Sequence, residues 1–193
     1  MDGDGGFGIA SKGRSGRLLP HAIYHVGEDG AIKDYIALPN ELLAIETRFG
    51  FEGITRVDDM LYIAVQREWR DDRANHIKVL GYNLGTEEWS MIHYAKTEPA
   101  TGWVGLSEIA AHGDFMYFIE RDNQHDTRAV TKIITRVPMS ATEGMVALGE
   151  TSAVLEPELL VDFLPYLTST GGDGRRVFRA VSWSRISLLH LEF

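Results

Sequence analysis

Six side chains in this 193-residue chain have the types and the placing for hydrolytic chemistry. Glu52 stands between Phe51 and Gly53, where the chain enters an apolar run. Glu108 interrupts the stretch "GLSEIAA"; by simple alternation it shares a face with Leu106, which is unusual for a plain core strand. Glu120, Arg121 and Asp122 close the run "FMYFIERD", and Arg67 closes "LYIAVQR". Convergent carboxylates can bind a cation such as Ca2+, which takes several oxygen ligands. They can also hold a metal that polarises a phosphoryl oxygen and activates water. Arginine suits phosphate because its planar fork donates two parallel hydrogen bonds. On this reading Glu52, Glu108, Glu120 and Asp122 hold a metal, Glu52, Glu120 and Arg121 are catalytic, and Arg67 and Arg121 bind the substrate. The competing reading is structural: Glu52 and Glu120 cap strand ends or pair with Arg67 and Arg121 between repeated units.

Other signals are weaker or exclude chemistry. Asp71 and Asp72 lie in the charged stretch "REWRDDRANH", which is a metal-ligand candidate or a solvated loop. The seven histidines show no His-x-His or His-Glu-x-x-His spacing, which argues against zinc and for isolated histidines. No Gly-x-Ser-x-Gly elbow occurs, which argues against a serine α/β-hydrolase. "GDGGFG" lacks a preceding strand and a βαβ context, so neither a nucleotide nor an organic cofactor is expected. Trp69, Trp89 and Trp103 fall near turns and read as packing. There are no cysteines, hence no disulfide or thiolate site, and the net charge of −9 argues against nucleic acid. No apolar run approaches the roughly 18 residues of a membrane span.

The elements that must position these residues are mostly strands. Candidates are His21–Val26, Ala31–Leu38, Gly53–Val57, Met60–Gln66, His76–Asn83, Glu88–Tyr94, Gly105–Ala111, Phe115–Glu120 and Val130–Val137, with turns at Asp29-Gly30, Gly85 and Gly113. Two short helices are expected, over 39–49 and 156–167. "GITRVDDMLYIAVQR" (53–67) is similar to "GLSEIAAHGDFMYFIER" (105–121), which sets Gly53 against Gly105, and Gln66 and Arg67 against Glu120 and Arg121. "IYHV", "GYNL" and "ITRV" recur at a comparable period. A period of about 50 residues is that of a four-stranded antiparallel blade with its loops, so the expected fold is all-β and β-propeller-like. The chain holds about three blades, so a fragment of a larger propeller is expected, with open blade edges available for self-association.

At this point the residues resemble a known group. "GDGGFG", "LPNELLA" before "GFEGI", "LYIAVQ", "LGYNL", "SEIAAHGDFMYFIERD" and "KIITRVPM" resemble the phytase-like family, described as having esterase-like activity of phytase. The resemblance implies a β-propeller, usually exported in bacteria, with Asp and Glu residues that hydrolyse phosphate esters; it gives Asp122 added weight. No signal peptide is visible in "MDGDGGFGIASKGRSGR". The resemblance places a partial propeller over 1–170 and leaves 171–193 as an unmatched tail. The expected function is a phosphate-ester hydrolase with a small-molecule substrate and a carboxylate-bound metal. The alternatives are a non-catalytic propeller that binds a ligand at its channel face, and a propeller lactonase.

Overall fold

A computed structural model describes residues 6–13, 20–124 and 128–167. The expected tail over 171–193 lies outside them. A first sheet contains β1 (Phe7–Ser11), β2 (Ala22–Val26) and β3 (Ile32–Ala37) in that order, all antiparallel. Gly30, at φ +78°, makes the turn between β2 and β3, where L side chains are strained. The chain then forms α1 (Asn40–Leu43) and a four-stranded meander of β4 (Phe51–Val57), β5 (Met60–Val65), β6 (His76–Asn83) and β7 (Trp89–Ala95). β8 (Val104–His112), β9 (Phe115–Asp122) and β10 (Lys132–Pro138) begin a third sheet. A 3-10 helix over Met139–Gly144 leads to β11 (Val146–Ala147) and β12 (Val154–Leu155), which both pair with β7. β13 (Glu158–Asp162) returns to pair with β10, and α2 (Leu164–Leu167) follows.

The strands are apolar because the sheets bury them against one another. Ile63, Ala64, Val65, Ile77, Val79, Leu80 and Ile92 are fully buried in the second sheet, as are Leu106 and Met116 in the third. The rings of Tyr94 and Phe118, 4.6 Å apart, join the two sheets. β8 packs along β4, and β1 packs against β4. Residues on these strands therefore meet across different sheets.

Two expectations about the helices change. The helix expected over 39–49 is only four residues long. The chain beyond it makes one further turn, with the Glu46 N–H on the Leu42 carbonyl, and is then drawn off by Arg70, which binds the carbonyls of Ala44 and Ile45, the second through its backbone N–H. The stretch 156–167 divides into a strand, β13 over Glu158–Asp162, and a helix of only four residues, α2 over Leu164–Leu167. Its leucines at 159 and 160 are both exposed, so no apolar helix face is buried there, whereas the edge of β10 offers backbone partners.

The repeat is real in register but offset from the sequence alignment. The turn Asp58-Asp59 corresponds to Gly113-Asp114, since Val57 pairs with Met60 and His112 with Phe115. Counting back along both strands, Gly50 corresponds to Gly105, Phe51 to Leu106, Glu52 to Ser107 and Gly53 to Glu108. Gln66 then matches Arg121, and Arg67 matches Asp122. Both first strands share an irregularity: each carries an extra residue, Glu52 in β4 and Ser107 in β8. A bulge of this kind re-aims neighbouring side chains. Leu106 pairs with Glu120 and Glu108 with Ile119, so Leu106 and Glu108 point to opposite faces, not to the same one.

Candidate functional site

The stretch Gly50-Phe51-Glu52-Gly53 becomes legible residue by residue. A Cβ on Gly50 would overlap the ring of His21, which is wholly buried. Phe51 is buried beside that ring, their centroids 5.5 Å apart, and Trp69 stacks on it at 5.7 Å. Glu52 is the bulged residue, and it lines a cleft. Gly53 leaves room for the carboxylate of Glu108, which lies where a Cβ would stand. The two bulges thus bring Glu52 of one sheet and Glu108 of another together.

Their environments differ. Glu52 is paired with the Lys12 ammonium, which also donates to the Gln66 side-chain oxygen at 2.7 Å. Burial raises the Glu108 carboxyl above the ordinary range, and the neighbouring Glu52 charge raises it further. The Ile109 N–H, donating to Glu108 at 3.0 Å, opposes both effects. Lys12 itself sits at the end of β1, and its neighbour Gly13 donates its N–H to His21 Nδ1 at 2.7 Å. His21 Nε2 must then carry the proton, which it donates to the Thr47 carbonyl at 2.8 Å.

Glu52 and Glu108 line a cleft of about 1040 Å³ between the first sheet, β4 and β8. Its other charged lining residues include Asp34, Asp58, Glu87 and Arg56, so the cleft is acidic. Such a wall suits cations or neutral groups, with the Lys12 ammonium beside Glu52 as a local positive charge.

Arg67 and Arg121 are not in the lining of this cleft and do converge, on an aromatic platform. The Arg67 guanidinium is 4.4 Å from the Phe49 ring centre and 4.8 Å from that of Trp103. Arg121 lies 5.8 Å from Trp103, and Arg48 lies 4.7 Å from Phe49. Buried Arg67 Nε makes no hydrogen bond, and the nearest carboxylate, Glu68, is 3.8 Å away. Gly105 allows this approach, because Arg67 and Trp103 both crowd its Cβ position. Trp103 therefore packs, as expected, but packs cations.

The other sequence candidates lie apart from this pair. Glu120 is fully buried; Tyr94 donates to one oxygen at 2.6 Å and the Thr97 N–H to the other at 2.9 Å. Asp122 is buried and takes N–H groups of Val130 and Thr131 and the Lys132 ammonium, which together outweigh its burial and hold its carboxyl low. Both carboxylates are thus fully engaged inside the protein. Asp72 is also buried rather than solvated, against Lys78. Among the described residues no group of three His, Asp or Glu side chains could hold a metal ion. Of the four carboxylates expected to ligate a metal, only Glu52 and Glu108 meet, and the Lys12 ammonium already stands between Glu52 and Gln66. These residues as arranged do not fit a Ca2+ site, which takes six to eight oxygens.

The sequence reading missed Lys12, Arg48 and Phe49. Lys12 follows a Gly-rich stretch with no periodicity to mark it, and the arginine platform depends on stacking across strands that spacing does not show.

Comparison with family models settles the kinship. The model of the phytase-like family, described as esterase-like activity of phytase, matches residues 1–177. The chain belongs to the phytase-like family. No curated protein and no solved structure matches it. Phytase-like membership supports an esterase-like hydrolase at the level of the family, and names neither a substrate nor a site. In this phytase-like chain the "GFEG" stretch is the joint between the first and second sheets and supplies one of the two carboxylates that meet in the cleft.

Proposed function

We propose that this phytase-like chain is a sector of a β-propeller whose first strands β4 and β8 line the channel, and that the rim of this channel hydrolyses phosphate esters. The observation that carries the reading is the meeting of Glu52 and Glu108, delivered by matching bulges from two sheets. Two neighbouring carboxyls in unlike surroundings divide acid and base roles. Glu108, held toward its protonated form by burial and by the Glu52 charge, protonates the leaving oxygen. Glu52, beside Lys12, takes a proton from the attacking water. The arginine platform faces the phosphate, since its guanidiniums are stacked on rings and, among the described residues, Arg67 has a carboxylate only at 3.8 Å. Gln66 connects the two, being the neighbour of Arg67 and a partner of Lys12. The acidic cleft then receives the non-phosphate part of the ester. In this arrangement Lys12 supplies the positive charge beside the carboxylates.

Turnover of a chromogenic phosphate monoester tests the proposal. Glu52→Gln and Glu108→Gln are each expected to lower kcat by about a hundredfold or more with the circular dichroism unchanged. Arg67→Ala is expected to raise KM more than it lowers kcat. Absence of turnover by the wild-type chain favours a binding module, and cleavage of lactones alone favours a lactonase.

A further inference from the structure

On the far side of the second sheet, three residues from three separate segments form a relay that the cleft chemistry does not use. His93, in β7, stands opposite Lys78 in β6. Its Nε2 is 3.0 Å from Asp72 Oδ1, and its Nδ1 is 2.8 Å from the Ser152 hydroxyl. An ionised carboxylate only accepts, so Nε2 carries the proton and Nδ1 is left as the acceptor. The Ser152 O–H therefore donates to the ring, while Ser152 Oγ accepts the His93 backbone N–H at 3.2 Å. Asp72 is itself fixed. Its second oxygen takes the Trp69 N–H at 2.8 Å, and the Lys78 ammonium bridges it to Asp71.

Exposure is graded along the relay. Asp72 and Lys78 side chains are at 0%, His93 is at 19%, and Ser152 is half-buried. The anchoring charges are dry and the hydroxyl end meets solvent. Burial alone would raise the Asp72 carboxyl, but the bonds from His93, Lys78 and the Trp69 amide hold it below its ordinary range. A carboxylate thus orients an imidazole, which in turn accepts from a hydroxyl: the arrangement that activates a nucleophilic serine, with the two ring nitrogens exchanged. Ser152 stands two residues before the short strand β12, whose Val154 pairs in parallel with His93, and no Gly-x-Ser-x-Gly elbow surrounds it.

We propose that Ser152, His93 and Asp72 form a second reactive centre that attacks carboxylic esters. Ser152 Oγ bonds to the ester carbonyl carbon as its proton passes to His93 Nδ1. The bond to the alkoxy oxygen breaks, the alcohol leaves with that proton, and an acyl-serine remains. Water, giving its proton to the same nitrogen, then releases the acid and restores the hydroxyl.

The test is labelling of the wild-type chain with a fluorophosphonate, followed by peptide mass mapping, and a burst assay with p-nitrophenyl acetate. The expected result is one adduct, on Ser152, with about one equivalent of nitrophenol in the burst, both lost in urea. His93→Gln should slow labelling by about a hundredfold or more. No adduct on Ser152 in the native chain, or equal labelling in native and urea-treated protein, overturns the proposal. The native-versus-urea comparison decides even if His93→Gln fails to fold.

Discussion

At Gly53 a single hydrogen decides whether two carboxylates can meet. Gly53→Ala sets a methyl group where the Glu108 carboxylate lies. That carboxylate is the flexible end of its side chain, so it can swing away, but the backbone of Glu108 and Ile109 is also close. The expected outcome is a folded protein destabilised by about 1–3 kcal/mol, as in other overpacked sites, with phosphate-ester turnover lost; chemical denaturation and activity measure the two effects. Glu108 makes a separate prediction from its raised carboxyl. Folding favours its protonated form, so its contribution to stability is full below the unfolded carboxyl value and falls as pH rises through the higher folded value. Glu108→Gln removes this dependence. Melting temperatures across pH are expected to show the variant gaining on the wild type as pH rises, and an unchanging difference would refute the cause given.

At the scale of elements, Tyr94 and Glu120 act as a cross-brace between the second and third sheets. Tyr94 O–H reaches Glu120 at 2.6 Å, and its oxygen lies 2.5 Å from Thr135 Oγ1. Tyr94→Phe leaves a fully buried carboxylate oxygen short of a donor, which costs about 1–3 kcal/mol and more for a charged group. Denaturant midpoints should fall accordingly. Glu120→Gln should lower stability while any active-site effect follows the loss of fold; a stable Glu120→Gln protein without turnover would return Glu120 to the chemistry. This distinction was hidden from the sequence. "FIERD" reads alike whether its acids face a channel or a neighbouring sheet, because alternation gives a face and not what covers it. The strands themselves were legible, since Val, Ile, Tyr and Phe runs between turn residues leave few options, and the repeated Tyr62 and Tyr117 marked equivalent strands. The bulges were not legible. One extra residue in each of β4 and β8 keeps the composition and inverts the facing, so Ser107 passed unnoticed and Glu108 was set on the wrong side.

At the scale of the whole molecule, six of the nine large apolar side chains exposed among the described residues lie on outer strands. Phe7 and Ile9 on β1, Ile32 and Tyr35 on β3, and Leu159 and Leu160 on β13 are exposed. Strand edges with apolar side chains recruit further strands. The isolated chain is therefore expected to self-associate; sedimentation velocity should show mass rising with concentration, and Ile9→Lys combined with Leu159→Lys should suppress it. A constant monomer mass would count against open edges. The joint at His21 carries a consequence of another kind. This ring has no solvent contact, joins the first sheet to the second through Trp69 and Phe51, and receives the Gly13 N–H on its one unprotonated nitrogen. Burial lowers its proton affinity below the ordinary 6.5. Its contribution to stability is therefore present above that value and is lost as pH falls, because the unfolded chain binds the proton first. A proton on Nδ1 would also evict Gly13, and Lys12 next to it would leave Glu52. Acidification is thus expected to release Lys12 from Glu52 before it unfolds the sheets, making the charge pattern proposed for catalysis a property of the medium as well as of the chain.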